Sequence, residues 1–296
     1  AVILSGPRRP PEVWVAETDG GNSHAITESR IGVPSEDELF DIELIAYPTF
    51  DGRDIPAWLY RPDATGRVPV VLSIHGGPEA QEHPLYHPLY QYLLSRGIAV
   101  LATNIRGSTG YGKTYQRLVQ RDWGGGDMKD WEHAVKWLHA QEWVDPDRIG
   151  VFGGSYGGFA VLTCVTRLPD YWAAAVDIVG PSNLITAAKA APPTWRRMMK
   201  RFMGDPDEDA DMLRERSPMT YIENAKTPLL VIQGAMDPRV VKPESDQLVD
   251  KLRSLGREVE YVVFEDEGHG FTKRQNEVRA MKLSADWLEQ HLATPS

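Results

Sequence analysis

The chain of 296 residues has a single cysteine, Cys164, so no internal disulfide can staple it and its core must come from apolar burial alone. Cys164 lies inside an apolar run and reads as a small buried hydrophobe rather than a second nucleophile. No apolar run reaches the about eighteen residues that a membrane span needs. The opening Ala1-Val2-Ile3-Leu4-Ser5 has neither the length nor the charged flank of a secretory signal, so a cytoplasmic protein with no membrane contact is the expectation. Positive charge is in deficit: 32 Lys and Arg against 42 Asp and Glu give a formal net charge of −10, which argues against nucleic acid as a partner. Metal signals are missing as well. His83 and His87 have i,i+4 spacing, but Pro84 and Pro88 interrupt any helix there. The acidic stretch 205–211 lacks the central glycine of a calcium loop, and Arg216 stands where its closing glutamate belongs. No metal and no cofactor is expected, no internal repeat is present, and a homo-oligomer is neither required nor excluded.

What the chain does have is alternation. From Val68 onward, short apolar runs at 70–74, 98–104, 149–152, 173–179, 229–233 and 259–264 read as buried strands with helical segments between them. Residues 40–47 and 55–60 read as an antiparallel pair joined at Asp51-Gly52, and residues 12–16 as one short strand. Val278, Met281, Ala285, Leu288 and Leu292 fall on one helical face, which predicts a closing amphipathic helix. The expectation is an α/β fold with a mostly parallel central sheet and helices on both faces.

Gly153-Gly154-Ser155-Tyr156-Gly157-Gly158 follows one of these strands and precedes a helical run at 159–167. Strand, tight turn and helix make G-x-S-x-G a nucleophile elbow, where small flanking residues let the backbone turn and hold the serine hydroxyl clear of the sheet. Asp237 and His269 each lie just beyond a later strand, and Ser-Asp-His is the chain order of an α/β-hydrolase triad. Taken singly, Asp237-Pro238 is an ordinary turn and Gly268-His269-Gly270 an ordinary loop; the common placement at strand ends is what joins them. In that chemistry His269 takes the serine proton and Asp237 fixes the imidazole tautomer, so activity must fall as the histidine protonates. His75-Gly76-Gly77-Pro78 ends the strand at 70–74, where backbone N–H groups can approach a developing oxyanion, with the Tyr156 N–H as the other half.

Together with Arg106-Gly107-Ser108-Thr109-Gly110-Tyr111-Gly112, Trp123-Gly124-Gly125-Gly126-Asp127, Asp237-Pro238-Arg239-Val240 and Asp266-Glu267-Gly268-His269-Gly270-Phe271, these motifs resemble the catalytic domain of the prolyl oligopeptidase family, in particular its acylaminoacyl-peptidase-like members. The resemblance runs from about Phe40 to the C-terminus. It implies that Ser155, Asp237 and His269 are the triad, that Gly77 and Tyr156 supply oxyanion N–H groups, and that Arg239 holds a peptide carbonyl; a structural ion pair is the rival for Arg239. Relatives usually carry a β-propeller capping the site, and residues 3–27 resemble the tail of a last blade. That divides the chain into an extension, 1–38, and a catalytic domain, 39–296.

Trp195 and Leu184 are candidates for an apolar specificity pocket beneath an inserted helical pair at 190–203, although plain packing would use them equally well. The expected substrate is a small peptide, an acylated peptide or an ester. A carboxylesterase acting on small esters is the alternative. Two remoter readings are a non-catalytic binding module and a nucleotide-binding protein, since residues 107–114 fit G-x-x-x-x-G-K-[ST] at every position.

Overall fold

The computed structural model describes residues 1–29 and 34–293. Three short antiparallel strands, β1 (Val2–Gly6), β2 (Arg9–Ala16) and β3 (Ser23–Ala25), form a sheet of their own. A second antiparallel pair, β4 (Ile42–Pro48) and β5 (Asp54–Tyr60), is registered with Ile42 opposite Tyr60 and Pro48 opposite Asp54. Alternation then begins: β6 (Val68–Ile74), α1 (Pro88–Ser95), β7 (Ala99–Thr103), α2 (Lys113–Arg117), α3 (Gly126–His139), β8 (Val144–Gly154), α4 (Tyr156–Arg167) and β9 (Ala174–Ile178). Three short helices follow, α5 (Leu184–Ala190), α6 (Arg196–Phe202) and α7 (Ala210–Arg216), before β10 (Leu229–Gly234), α8 (Pro243–Ser254), β11 (Val259–Phe264) and α9 (Arg274–Leu292).

Strands β4 to β11 make one eight-stranded sheet in the order β11-β10-β9-β8-β6-β7-β5-β4. The six from β11 to β7 are parallel, and β5 joins β7 antiparallel. This is the α/β architecture that the sequence predicts. Every residue of β6 and of β10 is buried, which is why both read as unbroken apolar runs: helices cover both faces of a parallel sheet. Side chains of α3, α4 and α8 form one core layer, and those of α1 and α9 form the other.

The closing helix forms where expected and buries Ala285, Leu288 and Leu292 of the expected face, but at its start the inward side differs. Val278 is 55% exposed, while Asn276, Ala280, Ser284, Leu288 and Leu292 are buried. Small residues at 280 and 284 let α9 approach the sheet closely, and the Ser284 hydroxyl donates to the Ala280 carbonyl at 2.9 Å, so its burial leaves no polar group unpaired.

Strand β6 lies between β7 and β8, so the sheet order reverses there and a crevice opens at the carboxyl ends of β6 and β8. The loops 75–78 and 153–158 both emerge into it.

Candidate active site

Ser155 joins β8 to α4 with φ +58° and ψ −118°. A non-glycine residue in so sparse a region costs about 1–3 kcal/mol, and it persists only where its surroundings hold it. Its N–H donates to the Ile178 carbonyl at 2.8 Å and its own carbonyl accepts from the Phe159 N–H at 3.0 Å, so β9 and the first turn of α4 fix the turn from both sides. The flanking glycines permit the close approach: a Cβ on Gly153 would stand 2.5 Å from the Gly157 carbonyl oxygen.

The structure brings Ser155, His269 and Asp237 together from three loops 114 and 32 residues apart in sequence. His269 Nε2 is 2.8 Å from Ser155 Oγ, and its Nδ1 is 2.8 Å from Asp237 Oδ2. That geometry suits the tautomer in which Nδ1–H donates to the carboxylate and Nε2 accepts from the serine. Asp237 has a fully buried side chain, and its second oxygen accepts from the backbone N–H groups of Arg239 at 2.8 Å and Val240 at 3.0 Å. The turn after β10 therefore aims the carboxylate. Glu267, which sequence reasoning passed over, does the same for the histidine loop. Its buried carboxylate accepts from the N–H groups of Thr272 and Lys273, the Thr272 hydroxyl and Asn276 Nδ2, tying the loop to the start of α9.

Gly77 and Tyr156 line the same cavity as Ser155 and His269. Gly76 packs under the nucleophile, since a Cβ there would lie 3.6 Å from Ser155 Cβ. The loop after β6 is held by His75, whose Nε2 meets Ser108 Oγ at 2.8 Å. Burial lowers the His75 pKa and favours its neutral form. This contact accounts for the phosphate-loop-like stretch. The N–H groups of Gly107, Ser108 and Thr109 already donate to the carbonyls of Tyr115, Ile105 and Ala80, so this is not an open cradle of amides for phosphate.

A cavity of about 240 Å³ runs from Ser155 beneath α6, walled by Trp123, Tyr156, Trp195, Met198, Met199 and Phe202. Arg239 also lines it, its guanidinium carbon 5.6 Å from the centre of the Trp195 ring. Leu184 does not belong to this wall. It is fully buried in the first turn of α5, which the Asn183 side chain caps, and packs into the core.

Asp177 lies under the elbow, where a Cβ on Gly158 or Gly180 would collide with its Oδ1. Oδ1 accepts from the Gly180 N–H at 3.0 Å; Oδ2 is buried without a hydrogen-bond partner among the described residues. Burial pushes this carboxyl up to about 7. The folded state thus holds its proton more tightly than the unfolded chain, so stability is full below the ordinary aspartate range and is lost as pH rises toward 7. Asp177→Asn is therefore expected to match wild type near pH 4.5 and to exceed it by about 1–3 kcal/mol at pH 8. Urea unfolding at the two pH values checks this, and a gap independent of pH would refute it.

No helix among the described residues is long and apolar enough to cross a membrane. Residues 86–294 match the prolyl oligopeptidase family. The chain is 44% identical over 234 residues to dipeptidyl aminopeptidase BIII of Pseudoxanthomonas mexicana, an alignment covering 77% of this chain and 34% of that protein. It is 29% identical to the acylamino-acid-releasing enzyme of Arabidopsis thaliana, over 75% of this chain and 30% of that one. Among solved structures, the puromycin-hydrolyzing peptidase of Mycobacterium tuberculosis superposes with a TM-score of 0.90 at 28% identity, over 98% of this chain and 46% of that one. The chain thus spans between about a third and a half of the length of the relatives it matches. An eight-stranded, mainly parallel sheet, a serine elbow at its switch point and this family match agree: the chain belongs to the prolyl oligopeptidase family.

Proposed function

We propose that this chain is the catalytic part of a serine peptidase that cleaves peptide or acylaminoacyl bonds through an acyl-enzyme on Ser155. The observation that carries the reading is His269, with one ring nitrogen 2.8 Å from Ser155 Oγ and the other 2.8 Å from a buried carboxylate. The Ser155 oxygen attacks the scissile carbonyl carbon as its proton passes to His269 Nε2. The carbonyl oxygen, now negative, accepts from the N–H groups of Tyr156 and Gly77. Collapse breaks the C–N bond, and Nε2 returns the proton to the departing amine. Water then attacks the acyl carbon, losing its proton to His269, and the released serine recovers it.

The cavity supports a preference for an apolar residue on the acyl side of the bond. Its wall is aromatic and methionine-rich, with Arg239 as its one lysine or arginine among the described residues. Methionines adapt to side chains of different shape, whereas a cationic side chain would enter beside Arg239 with no carboxylate to pair with. Arg239 forms no ion pair among the described residues, which favours a role toward a substrate carbonyl over a structural bridge. Acyl-amino-acid p-nitroanilides of Leu, Met or Phe are therefore expected to exceed those of Lys in kcat/KM by about 100-fold or more. Equal rates across the series would remove the cavity from the reading.

A carboxylesterase would use the same atoms on a weaker bond, and the cavity opens onto Ser155 widely enough for a small ester. Hydrolysis of p-nitrophenyl butyrate without any anilide turnover would make esterase the function.

A further inference from the structure

Asp127 has no place in the triad, yet it is fully buried, the second residue of α3, and its carboxylate reaches across to the elbow. Oδ1 accepts from the Met128 N–H at 2.7 Å. Oδ2 accepts from the Gly124 N–H at 3.1 Å and from the Tyr156 hydroxyl at 2.6 Å. Tyr156 follows the nucleophile directly, and its backbone N–H is the oxyanion donor of the reading above. Its ring also walls the cavity, with the Trp123 ring edge-on at 4.9 Å.

Aiming an N–H requires fixing the peptide plane between Ser155 and Tyr156. One end of that plane is Ser155, held at φ +58° against its own preference. The other end is the Tyr156 Cα, whose side chain has only two rotatable bonds before its rigid ring, so pinning the hydroxyl restricts the Cα as well. A buried, charge-assisted hydrogen bond of 2.6 Å is a strong pin. The loop that carries Asp127 is pinned in turn: Arg167 and Arg216 both donate to the Gly124 carbonyl, at 2.6 and 2.8 Å. Burial raises the Asp127 carboxyl to about 6, and the Tyr156 hydroxyl acts in the opposite sense as one of three donors to the anion.

We infer that Asp127 is a positioning residue for the oxyanion hole, acting through the Tyr156 hydroxyl to aim the Tyr156 N–H at the reacting oxygen and to hold the ring as a cavity wall. The inference rests on the serine-peptidase reading and adds to it a residue that touches neither substrate nor triad. A purely structural bond would cost stability and leave the transition state untouched.

The test compares wild type, Tyr156→Phe, Asp127→Asn and the double variant, each assayed well below its unfolding temperature. Wild type is first labelled with a fluorophosphonate; no labelling of Ser155 overturns the peptidase reading and this inference with it. With labelling established, Tyr156→Phe keeps the ring and the N–H, and its kcat on a Leu p-nitroanilide is expected to fall about 10- to 100-fold with KM within about threefold. Affinity for a peptide boronate, which places an oxygen in the hole, should weaken by a similar factor, and affinity for the acyl-leucine product should not change. Asp127→Asn in the Tyr156→Phe background should lower kcat no further. A Tyr156→Phe kcat within twofold of wild type makes the bond structural only, and a further tenfold loss in the double variant means that Asp127 acts by another route; either result overturns the proposal.

Discussion

Ser155→Ala is expected to lower kcat/KM by about 10⁴- to 10⁶-fold on both N-acetylated amino-acid p-nitroanilides and p-nitrophenyl butyrate, with the unfolding temperature shifted by no more than a few degrees. The loss is large because the triad acts as a unit: without Oγ, His269 has no proton to take and no covalent intermediate forms. Whatever activity persists must come from the oxyanion donors and substrate binding alone. Stability is spared because alanine keeps the Cβ, so the strain at φ +58° is neither relieved nor increased. Ser155→Gly separates the two effects. It is equally inactive, but a residue that tolerates positive φ should recover about 1–2 kcal/mol of stability. Turnover above a tenth of wild type in Ser155→Ala would put the chemistry elsewhere in the cavity. A melting temperature unchanged in Ser155→Gly would show that the elbow is relaxed.

The elbow, Asp237 and His269 are legible in the sequence because each is a local event. An apolar run ends, turn-forming residues follow, and one residue with chemistry sits at the point where a parallel strand delivers its loop. The strands themselves are legible for the same reason: burial on both faces writes an unbroken apolar run. What is not legible depends on contacts between distant segments. Nothing in Gly125-Gly126-Asp127 announces that its carboxylate will meet a tyrosine 29 residues later, or that Glu267 will gather the start of the last helix. Ser108 reads as part of a phosphate loop until His75 is seen on its hydroxyl. Leu184 and Val278 are failures of another kind. Apolarity says that a side chain can be buried, not which wall it will join: Leu184 packs into the core and not the cavity, and Val278 faces outward at the start of α9. The order of strands in the sheet is likewise invisible to periodicity, although the site exists because β6 separates β7 from β8.

Gly157→Ala is expected to destabilise the fold by at least about 3 kcal/mol, enough to deplete soluble protein at 37 °C, whereas Gly154→Ala, three residues earlier in the same motif, should cost less than about 1 kcal/mol. Both glycines stand near Ser155, but G-x-S-x-G requires Gly157 and leaves Gly154 at a variable position. The packing gives the reason. A Cβ on Gly157 would fall inside van der Waals contact of the Ile74 carbonyl oxygen, with the Ile74 carbonyl carbon at 3.0 Å and the His75 oxygen at 3.2 Å. All three atoms are backbone, at the end of a strand whose residues are all buried, so no side chain can rotate away. Relief requires lifting α4 off β6, which opens the core layer beneath Phe159 and Leu162 and moves the Tyr156 N–H away from the site. A Cβ on Gly154 meets only Ile178, at 3.7 and 3.8 Å, which is ordinary contact. Urea unfolding of the two variants decides the matter. Unequal costs in this sense tie the second glycine of the elbow to the crossing of helix and strand; equal costs would mean that the motif needs its glycines only for the turn, and that the approach of α4 to β6 is not what places the oxyanion donor.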